Sequence, residues 1–81
     1  MFSKELTLAD HSRRFTVTSS SNGGWELEVM ADRDVVRRAC YSDWHRLERA
    51  MSAMEREVSQ LIANGWTVSA SVVDDVYSTN R

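Results

Sequence analysis

The chain has no proline, one cysteine, one lysine and three glycines in 81 residues. Without proline, nothing marks a rigid kink or a proline-bearing linker that would divide the chain. A single cysteine, Cys40, excludes an internal disulfide, so folding needs no oxidising compartment. No apolar run approaches the roughly 20 residues of a membrane-spanning helix. Lys4 and Glu5 also interrupt the N-terminal stretch, where a signal peptide would be continuously apolar. These absences predict a soluble, unprocessed, cytoplasmic protein.

Motifs that carry chemistry are missing as well. There is no glycine-rich phosphate loop, no nucleophile-elbow pattern and no recognisable pair of carboxylates. His11 and His45 are far apart in sequence, and neither stands at ligand spacing with Cys40, whereas a zinc site takes four such groups. His45 reads as a solvated neighbour of Asp43 or Glu48, His11 as a turn residue, and Cys40 as a small, partly buried strand residue rather than a nucleophile. The expectation is therefore no enzymatic activity, no cofactor and no metal.

What is present is an ordinary globular composition, 42% hydrophobic and 27% charged, with three Trp, two Tyr and two Phe. That suffices for one core without staples, although the length is near the size at which burial and chain entropy nearly balance. Residues 1–73 read as a single compact domain and residues 74–81 as a polar tail. The strongest periodic signal is helical. Trp44, Leu47, Met51, Met54, Val58 and Leu61 recur at alternating spacings of three and four, which places them on one side of a helix. Ser42 or Asp43 can cap its start, while Asn64, Gly65 and Trp66 suit a Schellman stop.

Before this helix the period changes to two. Trp25, Leu27 and Val29 alternate with Glu26, Glu28 and Met30, and Phe15 and Val17 alternate with Arg14, Thr16 and Thr18. The polar run from Ser19 to Gly24 connects these two strands, and the segment Ala31, Asp32, Arg33, Asp34 turns into a third strand over Val35 to Tyr41. In that third strand either face carries an arginine among apolar groups; Val36, Arg38 and Cys40 are assigned to the outer face. Phe2, Leu6 and Leu8 have strand spacing, with Asp10, His11 and Ser12 as a turn, and Trp66 to Val73 is strand-like too. The predicted fold is α+β: an antiparallel β-meander of three to four strands packed on one long α-helix, with a short C-terminal strand after the helix as a further candidate. A helix over 43–64 would be about 33 Å long against about 23 Å for a seven-residue strand, so it must cross the sheet diagonally or project beyond it.

Two functional readings follow. The first is a small non-enzymatic accessory or protein-interaction domain that associates with itself or with another protein, with Met51, Met54 and Val58 on the helix as an adaptable dimer or partner surface. A free strand edge is a second route to a partner. The second reading starts from arginine, which supplies all the positive charge except Lys4. Arg13, Arg14, Arg33, Arg37 and Arg38 cluster in the strand region and could contact phosphates or a partner. The order strand, strand, strand, helix over Phe15 to Asn64, with Trp25 opening a strand, resembles in topology the plant AP2-type and phage-integrase arm-type DNA-binding domains. The resemblance implies a weak nucleic-acid-binding module that uses the sheet. Glu26 and Glu28 on the middle strand, and a net charge of −2, depart from the basic footprint of such modules and favour the first reading.

Overall fold

The computed structural model describes residues 2–21 and 23–73. The elements are β1 (Phe2–Leu8), β2 (His11–Ser19), β3 (Trp25–Ala31), β4 (Asp34–Tyr41), α1 (Trp44–Ala63) and β5 (Thr67–Val73). The strands form one five-stranded sheet in the order β4-β3-β2-β1-β5, with every neighbouring pair antiparallel. The segments at 2–8 and 67–73 therefore both join the sheet, side by side, and the meander has four strands. The tail read at 74–81 lies outside the described residues.

Two-residue turns join β1 to β2 and β3 to β4, with Ala9 at φ 54° and Asp32 at φ 59° supplying the left-handed residue of each. The first turn is thus Ala9 and Asp10, earlier than the Asp10 to Ser12 turn expected from composition. His11 and Ser12 are drawn into β2 because they pair with Leu8 and Thr7. The longer β2–β3 connection is closed by Ser20 N–H donating to Gly24 O at 2.7 Å and Gly23 N–H donating to Ser20 O at 3.1 Å.

The helix ends are built as their residues predict. Asp43 is the cap: its side chain accepts from His45 N–H at 3.0 Å, and its carbonyl accepts the first helical bond from Leu47 N–H at 3.1 Å. At the other end Gly65 takes φ 103°, Gly65 N–H donates to Ile62 O and Trp66 N–H donates to Leu61 O, both at 3.0 Å. This pair of bonds is the Schellman motif, which satisfies carbonyls that the last turn would leave open.

The helix length has a geometric reason. A sheet five strands wide spans four inter-strand spacings, about 19 Å, and its strands run about 23 Å, which gives a diagonal of about 30 Å. Twenty helical residues also span about 30 Å. The helix starts beside β3, where Trp44 meets Trp25 edge-on at 5.3 Å, and ends near β1 and β2, where Trp66 stacks under Arg13. It crosses the sheet obliquely and delivers the chain to the far edge, so β5 must run antiparallel to β1.

The core lies between the helix and the three inner strands. Leu6, Phe15, Val17, Leu27 and Val29 from the sheet are buried against Leu47, Met54 and Val58 from the helix. Phe2, Trp25, Tyr41, Ala50, Met51, Leu61 and Trp66 pack around them, partly buried. Trp44, expected on the buried stripe, is 49% exposed, because it falls where the helix begins at the sheet margin, against Trp25. Among the described residues, neither β4 nor positions 67–72 of β5 contribute a buried side chain to the core.

Candidate interaction surface

The helix covers one face of the sheet, and the alternation of each strand decides which side chains reach the other. Phe15, Val17, Leu27 and Val29 point to the helix, so Arg14, Thr16, Thr18, Glu26, Glu28 and Met30 point away. Arg38 and Cys40 join that outer face opposite Glu28 and Glu26, as expected. At Val36 the alternation breaks: the register shifts between Val29 and Met30, setting Val35 opposite Met30. This irregularity is why the β4 sequence reads ambiguously. Cys40 is exposed rather than partly buried, on the face of the sheet that the helix does not cover.

The five sheet-region arginines do not gather on one face. Arg14 and Arg38 lie on the outer face, where Arg14 stands 3.6 Å from Glu5, and Arg38 Nε lies 3.1 Å from Glu28 and 3.4 Å from Glu26. The hydrogen bond to Glu28 raises the pKa of the Arg38 guanidinium above its ordinary value. Arg13 and Arg37 lie on the helix side: the Arg13 guanidinium is 5.5 Å from the Trp66 ring centre, and Arg37 Nη1 donates to Glu57 at 3.2 Å. Arg33 is exposed in the β3–β4 turn. Sequence reasoning missed the Glu5 partner of Arg14 and the Glu57 partner of Arg37, because the first depends on the register of β1 against β2 and the second on where the helix crosses the sheet.

The helix residues proposed as a partner surface are placed elsewhere too. Met54 is 2% and Val58 6% exposed, both sealed against the chain's own sheet, and Met51 is half-buried. A partner cannot reach the first two without opening the core.

The two histidines lie apart, each ring beside a single carboxylate. His45 is a solvated neighbour of Glu48 at 3.8 Å, and His11 stands 3.6 Å from Asp32 at the turn end of the sheet. Among the described residues no group of three His, Cys, Asp or Glu side chains could hold a metal ion, and no helix is long and apolar enough to cross a membrane. Asp32 does have a clear local role. Its backbone N–H donates to Ser12 O at 2.8 Å, and its carboxylate accepts from Ser12 N–H at 3.1 Å, continuing the β2–β3 ladder as the chain turns away. That bond to Ser12, helped by His11, holds the Asp32 carboxyl below the usual carboxylate range. A lowered folded pKa means that the stabilisation is complete above the ordinary carboxylate pKa and disappears as pH falls through the lowered value. Asp32→Asn keeps an acceptor and tolerates the left-handed backbone, so it isolates the charge. Its melting temperature should lie below that of the unaltered protein at about pH 7 and converge with it near about pH 2. A gap of constant size across that range would assign Asp32 no electrostatic part.

A further feature is the open edge of β5. Among the described residues this strand pairs only with β1, and every second backbone N–H and C=O along its other side has no sheet partner there. Its sequence from Thr67 to Val73 carries no ionisable residue, and Val68 and Val72 are 44% and 54% exposed. Leu8 and Ile62, 38% and 48% exposed, lie toward the same end of the fold, near the helix stop. The opposite edge, β4, carries Asp34, Arg37 and Arg38. Charges along an edge oppose pairing with another strand, and β5 lacks that protection. Comparisons with family models, with curated proteins and with solved structures find no match for this chain.

Proposed function

We propose that this chain is a non-enzymatic protein-interaction domain that docks through the free edge of β5. The observation that supports the reading is the asymmetry of the two sheet edges: β4 is charged, and β5 carries no ionisable residue over Thr67–Val73, with residues 67–72 exposed to an incoming strand. In such β-augmentation, backbone hydrogen bonds supply affinity, and exposed side chains such as Val68 and Val72 supply selectivity. The nucleic-acid alternative has less support, since Arg14, Arg37 and Arg38 are paired with glutamates and the five arginines are divided between two faces.

The test alters the edge and leaves the core alone. Ser71 pairs with Lys4 on β1, so Ser71→Glu places opposite charges side by side within the chain while putting a charge on the open strand. Protein retained from a lysate of the native host by the unaltered chain should be lost by more than about tenfold with Ser71→Glu, a drop of about 1.4 kcal/mol or more. Equal retention by both would remove β5 as the docking element. If the only ligand retained by both is nucleic acid, displaced between low and moderate salt, the alternative reading is the correct one.

A further inference from the structure

We infer that the strand which pairs with β5 is β5 of a second copy of this chain, joined antiparallel across a twofold axis into one ten-stranded sheet. The inference rests on the interaction reading and names its partner. Three observations carry it. The first is charge: Thr67–Val73 contains no ionisable side chain, so turning the strand onto itself sets no like charges opposite one another. On β4, an axis through Arg37 or through Arg38 would set that arginine against its own copy.

The second observation is closure. A β5–β5 pair consumes the unprotected edge of each copy and leaves a charged β4 at both ends of the enlarged sheet, so assembly stops at two. Pairing β5 of one copy with β4 of the next would leave the same two edges free at every step and would grow into a fibre.

The third is register. The pairing of β5 with β1 shifts between Glu5 and Leu6, so Ser69 has no partner and the regular part of the strand begins at Ala70. An axis through Ser71 uses that regular part. It sets Ser71 opposite Ser71 of the second copy and Ala70 opposite Val72, with both members of each pair on the same face of the sheet. Ala70, Ser71 and Val72 are all exposed in the single chain and can make these pairs without moving any core residue. Both helices then lie on one side of the joined sheet.

Edge pairing over so few residues is a small interface, and the dimer should be concentration-dependent. Sedimentation equilibrium in reducing buffer, so that the exposed Cys40 cannot cross-link copies, should show the mass rising from one chain toward two between about 10 µM and about 1 mM. Ser71→Glu faces its own copy across the axis and should remain one chain over the whole range, with its thermal unfolding unchanged. Val36→Lys on the β4 edge should dimerise like the unaltered protein. A single-chain mass for the unaltered protein at every concentration overturns the self-pairing, as does a dimer that survives Ser71→Glu or is abolished by Val36→Lys. If the unaltered protein is monomeric yet retains a host protein that Ser71→Glu loses, self-pairing is wrong and the interaction reading stands. If both tests are negative, both readings fall.

Discussion

Replacing Phe15 by alanine should destabilise the fold by about 3 to 5 kcal/mol. Phe15 lies in β2, the middle strand of the five, is fully buried, and faces the helix between Lys4 on one neighbour and Val29 on the other. Removing the ring forfeits the transfer free energy of its carbons. It also leaves a void that Val17, Leu27, Val29 and the helix residues Leu47, Met54 and Val58 cannot all move to fill, since they belong to different elements pinned by the sheet ladder. For 81 residues a total stability of about 4 to 12 kcal/mol is ordinary, so this single change should consume a large share of it. Denaturant titration followed by circular dichroism measures the loss. A shift under about 1 kcal/mol would mean that the helix and sheet do not close on Phe15.

Gly24→Ala should cost about 1 to 3 kcal/mol for a different reason. The position borders β3 at the open end of the sheet, and a β-carbon there would stand 2.5 Å from the carbonyl oxygen of Tyr41 and 3.4 Å from Ser42 Cα. These are backbone atoms, so no rotamer change relieves the contact. Tyr41 pairs with Trp25, and Asp43, two residues on, caps the helix, so relief must come from displacing the end of β4 or the start of α1. The predicted signature is therefore specific: lowered stability together with altered near-ultraviolet dichroism from the Trp25–Trp44 contact at 5.3 Å. Stability and spectrum both unchanged would show that the loop and β4 are farther apart than described.

Gly24 also illustrates how legibility divides in this chain. Its place in a Ser-, Asn- and Gly-rich run identifies a turn, because glycine and short polar residues suit turns wherever they occur. That its missing side chain makes room for Tyr41 is invisible in the sequence, since the two lie on separate strands and meet only once β3 and β4 are paired. The arginines follow the same division. Arg38 beside Glu28 is accessible to alternation arguments on adjacent strands, whereas Arg37 with Glu57 and Arg13 with Trp66 require knowing where the helix crosses.

By itself the sequence determined the local elements: a helix from its cap at Asp43 to its Schellman stop at Gly65 and Trp66, the alternating strands around Phe15 and Leu27, and the α+β class. Those outcomes depend on residues within a few positions of one another, where propensity, periodicity and capping act. Tertiary structure alone decided that β5 lies beside β1, that Met54 and Val58 are sealed inside, that Trp44 is half outside, and that the uncharged strand stands at one edge of the sheet. Each of these is set by the competition of distant segments for the same apolar faces and backbone partners. A sheet of five strands under a single diagonal helix has more surface than the helix covers, and which strands are left at the margin is decided only when all of them are placed.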